Sequence, residues 1–403
     1  FLHGGEEGEE GGGANGRAPE QTLHLWGSWN AWTALVDMSP VPGGAEHDAW
    51  EAEVAVGDTL VEHFCVVARS GRRRQFIHPA VKKAGQRVRA LGPTDKNAGM
   101  HWLLDGHRDG VKEGTVYVVR FEWGGSGMAV SWRLAKEPGS SLPVVKPRTF
   151  QHSYFIVNSL SGWRPASLTH DEQDPCLWRG YASRFPENGR VDLMFMRDAD
   201  QSQMIYPMTS AKEEAKADPE DPQSYLWPED TVPLAGPDEG GDGKRWVAFG
   251  KPGERLKYFL RVQDGKIQLS LVTESGAWRS WRGSTGNTYY LAGSWSRWAP
   301  AAMQKDGGPS DRWRATFAVG GEGREEFQIL VNQNWNLRLY PAGAGSAPGE
   351  SAVLGPDRKG NRKNWQVLAP PGTEMEVILD LDAEDYRAMV TCFPRSLLRD
   401  GVT

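Results

Sequence analysis

Catalysis needs a convergent set of nucleophile, base and orienting groups, or a metal, and this 403-residue chain spells out none of them. It has no H-E-x-x-H, no G-x-S-x-G elbow, no Walker loop and no dinucleotide fingerprint after a strand. The nine histidines are scattered, with His101 and His107 the one close pair, in a turn where a solvated imidazole is the ordinary reading. A glycosidase needs two carboxyls roughly 5 to 10 Å apart across a cleft. Asp238, Asp357 and Asp380 fall instead in turns or β runs. The aspartate in two of the Gly-Pro turns suits turn chemistry better than calcium. Cys65, Cys176 and Cys392 are odd in number and far apart, which encodes neither a disulfide scaffold nor a zinc module. The expectation is a chain without catalytic residues, metal or cofactor.

The side chains left with chemistry to offer are aromatic and basic. Eighteen tryptophans either fill several small cores or present rings to a ligand. Arg72, Arg73, Arg74, Lys82, Lys83, Arg87 and Arg89 cluster around Pro79, opposite in sign to the Glu-rich start of the chain. Such a cluster is a solvated face, or a docking patch for an acidic protein, a membrane surface or the chain's own Glu-rich arm, weakened by salt in any of the docking cases. With 46 basic against 52 acidic residues the net charge is −6, too acidic for a general nucleic-acid binder. No apolar run reaches the length of a membrane-spanning helix. Phe1 stands where an initiator methionine would. That leaves open a removed targeting peptide, with an organelle such as the plastid as destination, or a fragment.

The elements that must position these residues follow a pattern written three times. Residues 23–32 read LHLWGSWNAW and 289–298 read YYLAGSWSRW, so Gly27, Ser28, Trp29 and Trp32 fall on Gly293, Ser294, Trp295 and Trp298. A degraded copy, YFIVNSLSGW at 154–163, keeps Trp163 but has Leu160 in place of Trp29 and Trp295. Each copy continues with a tryptophan heading a strand (Trp50, Trp178, Trp313) and a run closed by proline (Pro79, Pro207, Pro341). A Gly-Pro turn follows, then a tryptophan ten residues after its glycine (Trp102, Trp246, Trp365). These six rings are predicted to be core. The runs are short, rich in β-branched and aromatic residues and bounded by Gly, Pro, Asn or Asp, and helical periodicity is almost absent. The predicted class is all-β, three tandem antiparallel β-sandwiches at 22–135, 151–273 and 288–394. An acidic Gly/Glu-rich arm at 1–21, joints at 136–150 and 274–287 and a tail at 395–403 complete the chain, with an insertion at 208–235 and a short helix over 211–217.

At L-x-G-S-x-x-x-W, W-x-A-x-F-x-V and EEFQILVN the third copy resembles the starch-binding and glycogen-binding modules appended to amylases and to the AMP-activated kinase. The likeness covers the first half of each copy, closer in the third and first than in the second. The latter halves look more like uncharacterised tandem modules of dinoflagellate proteins. The first resemblance implies an immunoglobulin-like sandwich and a glucan lying across two aromatic platforms. Carried over, the first platform is Trp32, Trp163 and Trp298; the second is Tyr206, Tyr340 and, in the first copy, His78. Gln328 and Asn332 then bond sugar hydroxyls. The chain departs from that family in carrying Tyr-Pro or His-Pro where Trp-Glu is usual, and Gln328 where lysine is usual. A tryptophan in an opening loop can lie flat on solvent or tuck beneath the turn, and a tyrosine before proline sits in an extended segment near an edge.

The expectation is therefore a non-catalytic protein that engages a polysaccharide, an α-glucan first, through aromatic loops. The alternative is a structural accessory subunit of a larger assembly, which the targeting argument above would set in an organelle, and in which the same rings contact protein partners.

Overall fold

Buried and exposed positions alternate along the strands as the sequence pattern requires: Leu256, Tyr258, Leu260 and Val262 face inward from Leu256–Gln263, and Met375, Val377 and Leu379 from Glu374–Asp380. The computed structural model describes residues 21–396 apart from 43–46, 98, 148, 182–183, 209–225, 228–232 and 308–309. The arm through residue 20 and the helix expected over 211–217 lie outside the described residues.

The chain is all-β, built of antiparallel sheets joined by short 3-10 turns. The first sheet of the N-terminal region runs Leu35–Asp37, Thr22–Gly27, Val61–Ser70, Arg73–Pro79, Ala90–Thr94, with Trp102–Asp105 also paired to Val61–Ser70. Its companion runs Gly127–Leu134, Val116–Gly124, His47–Ala55, Ser39–Val41. The C-terminal region has the same two orders. One sheet is Ala301–Ala302, Tyr289–Gly293, Arg324–Val331, Arg338–Pro341, Val353–Asp357, with Trp365–Leu368 on Arg324–Val331; the other is Gln304–Lys305, Arg312–Ala318, Glu374–Asp380, Val390–Pro394. In the middle region the corresponding strands belong to a single 12-stranded sheet that nearly closes into a barrel.

The closing strand is Trp278–Ser284, in the stretch read from sequence as the 274–287 joint. It pairs with Lys266–Thr273 along its length and meets Leu234–Asp238 through Gly283. Trp281 is fully buried by this pairing, 6.1 Å from Trp246, so the stretch is sheet rather than linker. Among its described residues the 136–150 joint forms no strand, its sheet contacts being isolated bridges of Lys136 with Pro143 and Val145 with Thr115.

The opening motif folds as a latch. Gly27 is extended, Ser28–Asn30 make one 3-10 turn, and the chain leaves through Ala31 and Trp32 at φ 50° and 61°. Trp163 and Trp298 leave their turns at φ 63° and 64°, and all three tryptophan amides donate back across the turn, to the Gly27, Asn158 and Gly293 carbonyls. The glycine is needed because the Trp29 ring lies over it: a Cβ on Gly27 would sit 2.5 Å from the indole. Ser28 then donates to Glu62 at 2.5 Å and accepts from the His63 amide at 2.9 Å; Ser294 repeats this with Glu325 and the Glu326 amide. Trp295, stacked on Phe317 at 3.8 Å, is thereby fixed between the sheets.

Trp50, Trp178, Trp102, Trp246 and Trp365 are all buried, and Trp313 is half-buried with its Nε1 donating to Asp311. Apolar side chains of the N- and C-terminal regions form a single continuous cluster, and the middle region has its own around Trp178, Phe195 and Trp281.

Candidate functional site

The left-handed exit from the first opening turn sets Trp32 at the mouth of a cleft of about 300 Å³ between the N-terminal and middle regions. Trp26 meets the Trp32 ring edge-on at 4.9 Å and fixes the turn by donating Nε1 to the Trp32 carbonyl at 2.7 Å. His101 also lies against Trp32, ring to ring at 4.6 Å, with its Nε2 3.2 Å from Asn97 Nδ2. Lys82, Lys83 and His63 complete this wall, and Asp200, Gln203, Asp238 and Glu239 face it from the middle region. A Lys82–Glu239 ion pair of 3.4 Å ties the walls together.

Burial, reinforced by His78 and Lys82, holds His101 down at about 4. Burial, with Lys83, His101 and Arg197 adding to it, holds His63 well below the ordinary imidazole range. Both rings are therefore neutral at neutral pH and offer one donor and one acceptor each. A cleft walled by tryptophan and rimmed by amide, imidazole, ammonium and carboxylate groups suits a ligand with an apolar face and a polar edge.

The residues expected to form two platforms per copy differ in exposure. Trp163 is 42% exposed and Trp298 is half-buried, 6.4 Å from Trp335. Tyr206 and Tyr340 are buried, their hydroxyls donating to Asp238 at 2.6 Å and Asp357 at 2.9 Å. They brace the Gly-Pro turns instead of facing solvent. Gln328 is buried and donates to the Gly360 and Lys363 carbonyls. Asn332, also buried, accepts from the Thr288 amide at 3.0 Å. His78 is half-buried with Nδ1 2.9 Å from the Pro79 carbonyl. Sheet pairing thus turns Tyr206, Tyr340, Gln328 and Asn332 inward, whereas His78 stays half-buried.

The basic cluster also divides. Arg72, Arg73 and Arg74 are exposed at a hairpin tip, where Arg73 pairs with Asp95 at 3.3 Å. Lys82 and Lys83 line the Trp32 cleft, and Arg87 and Arg89 line a separate groove.

Two features were not singled out from the sequence. The first is a buried polar junction where the N-terminal region meets the middle region and the joint that follows it. Asp58 accepts from Tyr154 at 2.9 Å, Arg197 donates to Thr59 at 3.0 Å and Gln203 at 2.7 Å, and Thr285 donates to the Thr59 carbonyl at 2.5 Å. Glu62 lies beside it with its carboxyl pushed up by burial, against the pull of Arg197 and His152. The second is a row across four strands of the middle region, Trp278, Val272, Lys257 and Tyr181, placed side by side by register on one face, with Trp278 52% and Tyr181 67% exposed. The alternation within Lys266–Thr273 was the available signal for that face.

Among the described residues, no three His, Cys, Asp or Glu side chains are grouped as metal ligands, and no helix is long and apolar enough to cross a membrane. Neither a protein-family model nor a curated protein sequence matches the chain.

Proposed function

We propose that this chain is a non-catalytic binding protein of three tandem immunoglobulin-like β-sandwich modules, and that it engages carbohydrate of the α-glucan class at the Trp32 cleft. The observation that carries the reading is the Trp32 ring, half-buried beside Trp26 and His101 and lining a cleft edged by Asn97, Gln203, Lys82 and Lys83. The apolar face of a pyranose stacks on such a ring while amide and charged groups take its hydroxyls. Trp163 and Trp298, presented by the same left-handed turn, add weaker contacts whose avidity depends on one polymer reaching more than one of them. Retention on insoluble starch or glycogen tests the proposal. Retention that falls with Trp32→Ala and falls further when Trp163→Ala and Trp298→Ala are added supports it, and no retention of the wild-type chain counts against it.

The open sheet face favours a second reading, an accessory subunit of a larger assembly. Exposed tryptophan and tyrosine alongside Arg179, Arg261 and Arg282 have the composition of protein-binding hot spots. Gel filtration of native extract separates the readings, since the accessory role requires a stable complex well above the mass of the chain.

A further inference from the structure

In the middle region, Trp278–Ser284 fills the gap between the edges of two strand runs, antiparallel to Lys266–Thr273 and parallel to Leu234–Asp238. Gly283 lies opposite Leu234 on one side and Ile267 on the other, and a Cβ there would collide with the Leu234 carbonyl. In the C-terminal region the corresponding place is filled by a loop, with the Val353 amide donating to the Tyr386 carbonyl at 3.3 Å. Val353 and Leu234 correspond because each lies opposite the proline closing the preceding strand, Pro341 and Pro207. The N-terminal equivalent is Ala90, opposite Pro79. Met128, second in its hairpin strand as Ile267 is in its own, lines the same groove as Ala90. Among the described residues no strand pairs with either on this side.

Between them lies an open groove of about 920 Å³, lined by Arg87, Arg89, Leu91 and Met128 together with Glu122 and Glu384. The Arg87 amide donates to the Val130 carbonyl at 3.0 Å, so the Val130 backbone points away from Val116–Gly124. Met128, two residues before it, points its N–H and C=O the same way. Such an edge is a template for strand pairing. Arg87 and Arg89 are exposed and make no ion pair with a described residue, whereas Glu122 is already held by Arg120 at 2.8 Å.

We propose that the groove between Ala90–Thr94 and Gly127–Leu134 binds a short extended segment of an acidic partner protein by strand addition. A small residue sits between Ala90 and Met128, as Gly283 does in the middle region, and carboxylates of the segment engage Arg87 and Arg89. Because Arg87 already occupies Val130, the added strand pairs over about three residues from Met128 toward the hairpin end, and charge supplies much of its selectivity. This proposal is independent of the carbohydrate reading.

The probe is a fluorescein-labelled peptide, Glu-Glu-Gly-Val-Glu-Val, titrated into the full chain and read by anisotropy, beside a control with glutamine at each glutamate. Saturable binding is expected, weakened about tenfold or more by the glutamine control and by Arg87→Gln with Arg89→Gln. Met128→Pro is expected to weaken it similarly, since it deletes the outward N–H and leaves the ladder to Val116–Gly124 intact. Hydrogen exchange on the wild-type chain gives a readout that needs no variant: the Ala90 and Met128 amides gain protection when the peptide binds. Absence of saturable binding up to about 1 mM overturns the proposal. So does sensitivity to the arginines with no effect of Met128→Pro and no gain in protection, which would be charge attraction alone. Binding that appears only after residues 1–20 are removed assigns the groove to that segment of the chain and likewise overturns the partner reading.

Discussion

Arg197 donates through Nη1 to the Thr59 hydroxyl at 3.0 Å, a bond that spans 138 positions of chain and joins the middle region to the N-terminal one at full burial. Asp58 and Glu62 are buried beside it, so Arg197 is the cation that keeps two carboxyl groups tolerable away from water. Arg197→Met should cost about 3–5 kcal/mol, because it strands those carboxyls, and Thr59→Val only about 1 kcal/mol. Urea unfolding measures both; a loss below that of Thr59→Val for the arginine variant would remove the junction from the account of stability.

Gly27 makes a separate claim about packing. Gly27→Ala pushes a methyl group into the Trp29 ring and should cost about 1–3 kcal/mol by overpacking. The test is whether Trp29→Leu, which vacates the space, restores tolerance to alanine in a double-mutant cycle.

Acid sensitivity follows from the cleft histidines. His101 is held at about 4 in the folded chain against 6.5 for a free imidazole, so the folded state binds fewer protons between those values. Its stabilisation is complete above pH 6.5 and lost as pH falls towards 4, by about 2 kcal/mol for a half-buried ring. His63 acts in the same direction, and Glu62, shifted upward, acts in the opposite one by favouring its protonated form. Unfolding free energies between pH 7 and 4.5 should fall less steeply in His101→Gln than in the wild type.

Tyr340→Phe separates bracing from binding. It removes the 2.9 Å bond to Asp357, which should lower stability by about 1 kcal/mol. Glucan retention should not change, because the ring is buried; a retention loss comparable to that of Trp32→Ala would restore Tyr340 as a platform.

Strands and the buried tryptophans were legible because each rests on local chemistry: alternation, and a ring heading a core strand. The inward turn of Tyr206 and Tyr340 was not, since it depends on Asp238 and Asp357 further along the chain and on which sheet face the register selects. The joint around Trp278–Ser284 misled by its Gly, Ser and Arg content, and only pairing with Lys266–Thr273 makes it a strand. The polar junction was invisible for the same reason: Asp58, Thr59, Tyr154, Arg197 and Thr285 meet only after the N-terminal and middle regions dock.

The carbohydrate reading is tested most directly by calorimetric titration of a linear α-1,4-glucan oligosaccharide into the wild-type chain, Trp32→Ala and Tyr340→Phe. The account predicts measurable binding that weakens about tenfold or more in Trp32→Ala and is unchanged in Tyr340→Phe. No binding by the wild type, or equal affinity in Trp32→Ala, would contradict it.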